Sequence, residues 1–595
     1  MRRTAAYDET MILGLASPVR LAVAVVCSTL LIGVAVAQSP APEAPSGRTD
    51  KQAVTAKQFM IAAANPHAAE AGFQMLKQGG SAVDATIAAQ LVLGLVEPQS
   101  SGIGGGAFML HWDGRRRVLA SYDGREKAPA RAGPDLFLGD DGNPLKFWAA
   151  VVGGRSVGVP GLVRMMEMAH RRHGRLPWEK LFEPAIKLAE EGFAVSPRLN
   201  ALVANDKYLK TYPEAAAYFY DGAGNPRPVG FVLKNPGYAD VLARLAVAGG
   251  DGFYTGPIAR DIVKAVRGVP DNPGLMTLSD LAKYEAKARP PVCGTFRRHS
   301  ICGMGPPTSG GLTVAMILGQ LDRFDLASLG PRSPEAWHLF AESARLAYAD
   351  RGLYMADSDF VDVPTEGLID PNYLVRRSKQ IRRRQSIGKA EPGTPDQKRA
   401  GLYGPDDALE LPSTSHISVV DADGNAVSMT TSIESGFGSR VMVNGFLLNN
   451  QLTDFSFRAE RDGKPVANRV EPGKRPRSSM SPTIVFDPDG NLRAVLGSPG
   501  GSRIINYVAK TVVAMIDWEL DAQEAVNLGH VVNRNGGTDL EEGTGAETLM
   551  TDLGSRGHEL NIRPLTSGLH VIEILPDGTL RGGADPRREG VALGE

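Results

Sequence analysis

The sequence of 595 residues has only three cysteines and almost no excess of either charge. Lysine and arginine number 65 against 66 aspartates and glutamates, so the formal net charge is −1. Such a balanced chain has no general attraction for nucleic acid or an acidic membrane surface. No CxxC spacing and no histidine pair accompany the cysteines, so there is no indication of a zinc site. We therefore predict no nucleic-acid partner and no metal.

Several catalytic signatures are also missing. The sequence has no HExxH motif and no Walker A phosphate loop. Residues 154–158 match the GxSxG pattern of a nucleophile elbow, but the preceding strand is short and Pro160 follows at once, so we interpret them as a glycine-rich turn. The glycines of 102–106 precede a predicted strand rather than a helix, which is the wrong order for a dinucleotide site.

Long apolar runs are absent except at the N-terminus. Basic residues up to Arg20 precede the apolar run 21–37, which ends in Ala-Val-Ala. This order is typical of a cleaved export signal. The alternative is an uncleaved anchor helix, for which about 17 residues is the lower limit. We predict a signal peptide at 1–37, a flexible linker at 38–50, and an exported protein, periplasmic or secreted, that is free of the membrane once the signal is removed.

Two cysteines remain outside the predicted signal, because Cys27 lies within it. Cys293 and Cys302 fall in a stretch, 292–302, that we predict to be a hairpin. In an oxidising compartment they could form a disulfide across it. Two buried thiols on neighbouring strands are equally compatible with the sequence.

The segment 412–434 is the feature around which we interpret the chain to be organised. Two runs that alternate apolar and polar residues, around 417–419 and 427–429, flank Asp423-Gly424. The period of two predicts half-buried strands. Asp-Gly between such strands predicts a hairpin.

The loop length of this hairpin decides which hydroxyls meet. A loop of residues 422–424, with its glycine left-handed, pairs Asp421 with Asn425 and therefore Thr414 with Ser432. A two-residue loop shifts the register by one residue and turns the two hydroxyls apart. Two facing hydroxyls at the open end of a hairpin indicate a reactive site. The alternative is a solvated, serine- and threonine-rich strand end.

A hydroxyl nucleophile on this hairpin needs a base, and the sequence offers no obvious side chain for the task. His416 is adjacent, but a lone histidine is more often structural. A threonine at a newly made chain terminus avoids the problem, because its own α-amine, with a pKa of about 7.7–8.0, accepts the proton. The Gly-Gly turn at 497–503 opens a helix and presents amide groups suited to an oxyanion.

Six motifs in order along the chain complete the pattern. They are DGREKAP at 123–129, PPTSGG at 306–311, STSH at 413–416, NNQLTDF at 449–455, RPRSSMSP at 475–482 and GSPGGSR at 497–503. Together they resemble the gamma-glutamyltranspeptidase family, also called glutathione hydrolases, of the N-terminal-nucleophile hydrolases. The resemblance extends over essentially all of residues 50–590.

The resemblance implies an α+β fold, the four-layer αββα sandwich of N-terminal-nucleophile hydrolases. It also implies an inactive precursor that cuts itself between Ser413 and Thr414. The products are a large subunit, 51–413, and a small subunit, 414–595, which stay together because each alone exposes half of two packed sheets.

Roles for individual residues also follow from the resemblance. The implied catalytic residues are Thr414 as nucleophile, Ser432 as the hydroxyl that orients it, and Gly500 and Gly501 as the oxyanion hole. The implied substrate-binding residues are Arg125, Ser478 and Ser479 for the α-carboxylate, and Gln451 and Asp454 for the α-ammonium. A guanidinium suits the first task because its fork grips a carboxylate with two hydrogen bonds.

Two departures from the family pattern bear on substrate choice. Glu434 replaces an asparagine common in family members and adds a negative charge near the ammonium site. We expect it either to tighten ammonium binding or to change which acyl group fits. The lid loop between Phe455 and Arg475 is short and has no tyrosine, which several family members use to cover the pocket, so this departure bears on acceptor selectivity and on the ratio of hydrolysis to transfer.

The implied reaction is attack on the γ-amide of glutathione or a related compound, with release of Cys-Gly. The γ-glutamyl ester on Thr414 then passes to water, or to an amino acid or dipeptide, without any metal or organic cofactor. The nearest alternative is a glutaryl or cephalosporin acylase on the same scaffold. Such an enzyme gains nothing from an anion that faces an ammonium, so Asp454 argues against it. Another alternative is an exported binding protein with an inactive site.

Overall fold

The computed structural model describes residues 47–395, 402–406, 408, 410–411 and 413–595. The predicted signal peptide and most of the predicted linker therefore lie outside the described residues. None of the helices in the described ranges combines the length and apolar character needed to cross a membrane.

Two seven-stranded sheets, each antiparallel throughout, form the centre of the molecule. The hairpin sheet has, in spatial order, Val591–Gly594, Met60–Ala63, Ser415–Val420, Ala426–Ser432, Gly106–Asp113, Val118–Asp123 and Lys287–Arg289. The second sheet has Val54–Ala56, Leu580–Ala584, His570–Ile574, Leu492–Gly497, Thr483–Phe486, His299–Gly303 and Val292–Phe296.

The two sheets pack face to face through a shared apolar core. Leu110 and Trp112 of the hairpin sheet belong to the same buried cluster as Ile484 and Phe486 of the second sheet. The rings of Trp112 and Phe486 meet edge to face with their centroids 4.7 Å apart. This contact is the inner, sheet-on-sheet interface of a sandwich.

Helices cover the outer face of each sheet. Pro66–Lys77 and Ala82–Val96 share a core with the hairpin sheet, whereas Gly310–Leu321, Pro334–Tyr354 and Ile504–Ile516 share one with the second sheet. The predicted four-layer αββα architecture is therefore confirmed. The other described helices are Phe147–Val151, Leu162–His173, Glu183–Glu191, Pro197–Asn205, Pro213–Phe219, Pro236–Ala248, Asp251–Tyr254, Gly256–Arg267, Leu278–Ala282, Leu326–Leu329, Thr365–Leu368, Pro371–Ser378, Ala522–Asn527 and Met550–Ser555. Short strands form smaller sheets from Phe193–Ala194 and Val232–Leu233, from Met442–Val443 and Phe446–Leu447, from Glu460–Arg461 and Lys464–Pro465, and from Val531–Asn533, Thr538–Glu541 and Leu560–Arg563.

Local signals explain where the first helices begin and end. Asn65 accepts a hydrogen bond from the His67 N–H and caps the first helix. Ser81 and Asp84 form a reciprocal capping box at the second. Gly79, with φ of +80°, separates the two helices.

The central hairpin has the predicted register. Val420 faces Ala426, and the Asp421 N–H donates to the Asn425 carbonyl at 2.9 Å. Gly424 is left-handed, with φ of +74°, so the loop is 422–424 as predicted. The prediction of half-buried strands was wrong, because both strands are buried on both faces between the second sheet and the helical layer.

Both sheets combine strands from before and after the Ser413–Thr414 bond. In the hairpin sheet, Met60–Ala63 lies between Val591–Gly594 and Ser415–Val420. In the second sheet, Thr483–Phe486 pairs with His299–Gly303. Neither sheet is complete without both parts of the chain.

Two local expectations concern smaller features. Cys293 and Cys302 are joined by a disulfide across the predicted hairpin, with their Cα atoms 4.0 Å apart. The GxSxG match is a turn, as interpreted, because Gly154–Ser156 is a single 3-10 turn and the buried Ser156 hydroxyl donates to the Val151 carbonyl at 2.6 Å.

Candidate active site

Two hydroxyl groups converge on one carbonyl at the open end of the hairpin. The Oγ atoms of Thr414 and Ser432 are 3.3 Å apart. Thr414 donates to the Ser413 carbonyl oxygen at 2.7 Å, and Ser432 donates to the same oxygen at 2.9 Å. The Ser432 oxygen also accepts from the Glu434 N–H at 2.8 Å. Two donors on one carbonyl oxygen draw electron density from the carbonyl carbon and make it easier to attack.

The chain on both sides of this carbonyl is firmly held. The Ser413 hydroxyl donates to the Gln99 carbonyl at 2.7 Å. Arg588 donates to the Thr414 carbonyl at 3.0 Å, and the Ser415 hydroxyl donates to Glu97 at 3.0 Å. The Ser413–Thr414 peptide is therefore anchored next to the two hydroxyls rather than free to turn away.

Arg125 and Asp454 form a direct ion pair. Arg125 is completely buried, and its Nη2 lies 2.5 Å from Asp454 Oδ2. Its Nε donates to the Pro476 carbonyl at 3.1 Å, and its Nη2 also donates to the Arg477 carbonyl at 2.9 Å. Among the described residues, Nη1 has no hydrogen-bond partner. The sequence predicted that Arg125 and Asp454 bind opposite ends of a ligand. In the structure the two side chains contact each other instead.

Three acceptors next to this pair are buried without a donor. They are Asp454 Oδ1, Gln451 Oε1 and Glu434 Oε2, none of which has a hydrogen-bond partner in the described part of the chain. A buried polar atom left unpaired costs about 1–3 kcal/mol, so such atoms are usually satisfied. An ammonium group has three N–H donors. Arg125 Nη1, which lies 3.8 Å from Glu126 Oε2 without a hydrogen bond, is together with these three acceptors complementary to a zwitterion.

Burial shifts two acidic side chains at this ion pair, Glu434 and Glu126, toward their neutral forms. It raises the pKa of Glu434 well above the usual range, and the adjacent Asp454 carboxylate raises it further. It also raises the pKa of Glu126 to about 8, although Arg125 opposes that shift. Burial and Asp454 therefore favour the neutral form of Glu434 while the site is empty, whereas an arriving ammonium favours its ionised, accepting form.

The glycine turn lies at the same cavity. Gly501 lines it together with Thr414, whereas Gly500 does not. Both glycines are left-handed, with φ of +140° for Gly500 and +56° for Gly501. A Cβ atom on Gly500 would lie 2.6 Å from the Tyr507 ring, so both conformation and space require glycine there.

His416 lies next to the hairpin start but has structural partners. Its Nδ1 contacts Thr430 Oγ1 at 2.9 Å and its Nε2 contacts Ser418 Oγ at 3.0 Å. Burial holds the pKa of its imidazole well below the usual range. The ring also packs against the backbone of Gly497, which leaves no room for a side chain there.

The two predicted carboxylate-binding serines differ in their partners. Ser478 Oγ accepts from the Met480 N–H at 3.1 Å. Ser479 Oγ accepts from Arg351 Nη2 at 2.7 Å and itself donates to the carboxylate of Glu410. One of the two serines is therefore already engaged by a carboxylate of the chain itself.

Glu410 is not among the predicted site residues, because the strongly charged sequence of residues 375–412, with its glycines and prolines, predicts an exposed connector. That prediction was wrong at the end of the segment, where Glu410 is buried. Its carboxylate meets Arg351, and Asp406 meets Arg477 at 2.9 Å. Local composition indicated solvent, but arginines from distant parts of the chain neutralise these carboxylates. No sequence signal marked the pairing.

The cavity at the centre of these groups is very small, about 20 Å³. It is lined by Arg125, Glu410, Leu411, Thr414, Ser432, Glu434, Gln451, Asp454, Ser478, Ser479, Met480, Gly501 and Ile504. Roughly one water molecule fits such a volume. Nine of the ten predicted catalytic and substrate-binding residues thus line one cavity, which residues just before the Ser413–Thr414 bond help to fill.

Known proteins resemble this chain over most of its length. A family model described as gamma-glutamyltranspeptidase matches residues 68–595. A glutathione hydrolase proenzyme of Bacillus subtilis (strain 168) is 36% identical over 96% of this chain and 98% of its own length. The glutathione hydrolase proenzyme of Escherichia coli (strain K12) is 37% identical over 93% and 95%. The crystal structure of a cephalosporin acylase from Bacillus halodurans matches with a TM-score of 0.79 and 27% identity, over 93% of this chain and 99% of that one.

Proposed function

The chain belongs to the gamma-glutamyltranspeptidase family, and from this membership we propose that it cuts itself and then cleaves the γ-glutamyl amide of glutathione and related compounds. The acyl group passes to water or to an amino acid or dipeptide amine. The main support for this substrate class is a set of buried polar atoms that make no hydrogen bond among the described residues. They are Nη1 of Arg125 and acceptor oxygens of Asp454, Gln451 and Glu434.

The first step is maturation. Thr414 Oγ attacks the Ser413 carbonyl carbon, the C–N bond of that peptide breaks, and the Thr414 nitrogen takes a proton and becomes a free amine. Water then hydrolyses the resulting Ser413 ester and restores the hydroxyl. The support for this step is the position of the Thr414 and Ser432 hydroxyls, 2.7 and 2.9 Å from the carbonyl oxygen. The large fragment would then contain the predicted linker 38–50 and the large subunit 51–413, and the small subunit would be 414–595.

The second step uses the new terminus. The α-amine of Thr414 accepts the hydroxyl proton as Oγ attacks the γ-carbonyl carbon of the donor. Amide groups of Gly500 and Gly501 stabilise the oxyanion. The amide C–N bond breaks, the leaving amine takes the proton, and a γ-glutamyl ester remains on Thr414. Water or an acceptor amine then attacks the ester carbonyl and frees the threonine.

Substrate binding opens the Arg125–Asp454 pair. The donor's α-carboxylate then binds Arg125, Ser478 and Ser479. Its α-ammonium binds Asp454, Gln451 and Glu434. Each charge that leaves the ion pair gains a partner of opposite sign on the ligand, so no buried charge is left uncompensated.

An acylase for glutaryl or cephalosporin side chains is the competing function, since a cephalosporin acylase shares the fold. A glutaryl group has no amine, so it would leave the buried acceptors of Asp454, Gln451 and Glu434 unpaired. The γ-glutamyl donor is therefore favoured. Turnover of γ-glutamyl and glutaryl anilides tests this choice, and faster glutaryl cleavage would overturn it.

Sequencing the N-termini of both fragments of purified protein tests maturation and export together. We expect the small fragment to begin at Thr414 and the large fragment at Gln38, the residue after the signal. An active protein that runs as one unbroken band near 63 kDa would contradict the maturation step.

A further inference from the structure

Glu410 occupies a built carboxylate site in the uncleaved chain. Its side chain is buried, and its carboxylate contacts Arg351 Nη2 and the Ser479 hydroxyl. Arg477 approaches the same carboxylate at 3.4 Å. A carboxylate held by a guanidinium and a hydroxyl is a strong, charge-assisted arrangement.

Arg351 is held in place for this contact from the side away from the cavity. It lies in the helix Pro334–Tyr354, and its Nε donates to Ser309 Oγ at 2.8 Å. Its Nη2 points to both Ser479 and Glu410. Arg351 does not line the cavity, whereas Glu410 and Ser479 do. Glu410 therefore stands between Arg351 and the cavity.

Cleavage would change the charge balance at this point. Glu410 lies three residues before the scissile bond, so it becomes part of a free chain end. If that end leaves, Arg351 is a buried cation without its carboxylate, which is costly. The cavity of about 20 Å³ also shows that an amino-acid-sized ligand must displace part of the chain. Glu410 and Leu411 are the cavity residues that precede the cut most closely in the sequence.

From these contacts we propose that Arg351, together with Ser479, binds the α-carboxylate of the γ-glutamyl donor in the cleaved protein, in the position that Glu410 fills beforehand. The inference rests on the proposed function and adds a residue to its binding site. Arg125 is shared with two carboxyl groups of the chain itself, since its Nη2 pairs with Asp454 and its Nη1 lies 3.8 Å from Glu126 Oε2. Two arginines then share the carboxylate, while Asp454 faces the ammonium.

The experiment compares two donors in wild type and Arg351→Lys. The γ-glutamyl anilide has the α-carboxylate, whereas the 4-aminobutyryl anilide lacks it and keeps the amine. Only fully cleaved protein, judged on a denaturing gel, is assayed. We expect kcat/KM for the γ-glutamyl anilide to fall about 30-fold, a typical loss for one charge-assisted hydrogen bond. The 4-aminobutyryl anilide should change less than about 3-fold. The matched control is Arg345→Lys, a buried arginine of the same helix that pairs with Glu342, and it should affect both donors equally and weakly.

Other outcomes are decisive in the opposite direction. If Arg351→Lys lowers kcat/KM equally for both donors, Arg351 has a structural role. If it lowers kcat/KM for neither donor, Arg351 does not belong to the binding site. If wild type turns over neither donor, the proposed function fails instead, independently of Arg351.

A second arm covers the case in which Arg351→Lys does not mature. Calorimetry with L-glutamate compares the uncleavable Thr414→Ala chain with Thr414→Ala/Glu410→Gly. Removing Glu410 should tighten L-glutamate binding at least about 10-fold and leave 4-aminobutyrate unaffected. Equal L-glutamate affinities would overturn the proposal.

Discussion

Replacing Ser432 with alanine should slow cleavage of the Ser413–Thr414 bond without unfolding the protein. The hydroxyl donates to the Ser413 carbonyl oxygen at 2.9 Å, where negative charge develops as Thr414 Oγ attacks. Loss of one such oxyanion donor typically costs about 10²–10³ in rate. The substitution also leaves the buried Glu434 N–H without its acceptor. The expected loss of stability is therefore about 1–3 kcal/mol.

The measurement is a pulse–chase in cell-free translation, with the fraction of cleaved chain read from a gel. Ser432→Thr keeps the hydroxyl and should restore cleavage to within about 10-fold of wild type. Ser428→Ala is the matched control on the same strand, because its hydroxyl bonds the Leu496 carbonyl at 2.9 Å and not the scissile peptide. If Ser432→Ala cleaves as fast as Ser428→Ala, the Ser432 hydroxyl does not activate the carbonyl.

Three further predictions follow from the same contacts. Thr414→Ala should run as one band near 63 kDa and be inactive; appearance of both fragments would contradict self-cleavage by this hydroxyl. Arg125→Ala should still cleave itself but lose about 10²-fold or more in kcat/KM for a γ-glutamyl anilide, as measured by steady-state kinetics, because a buried charged partner is removed; an unchanged KM and kcat would exclude Arg125 from the site. Burial raises the pKa of Glu126 to about 8 in the folded protein, whereas the unfolded value is about 4.3. The contribution of Glu126 to the free energy of unfolding is therefore complete below about pH 4.3 and is lost as the pH rises through about 8. We therefore expect the free energy of unfolding, measured with denaturant, to fall less between pH 5 and pH 8 in Thr414→Ala/Glu126→Gln than in Thr414→Ala. An identical fall in the two variants would contradict the raised pKa.

The central hairpin was predictable because its determinants are local. Asp423-Gly424 fixes the loop, the loop fixes the register, and the register brings Thr414 opposite Ser432. Its burial on both faces was not predictable, since it depends on the second sheet and the helices, which come from other parts of the chain.

The binding residues were predictable as a set but not in their arrangement. A resemblance of motifs assigned Arg125 and Asp454, yet only the structure shows that they pair with each other at 2.5 Å. Glu410 was assigned to solvent because its neighbours in sequence are charged. Its burial depends on Arg351 and Arg477, which approach from a helix and a loop far away along the chain.

The exchange of strands between the two sheets has a consequence for the life of the cleaved protein. Before the cut, every pairing across Ser413–Thr414 forms within one molecule; afterwards the same pairings would need two separate chains to meet at the right moment. Refolding of the mature protein should therefore depend on concentration and compete with aggregation. Its persistence would then rest on a slow rate of opening rather than on reversible equilibrium.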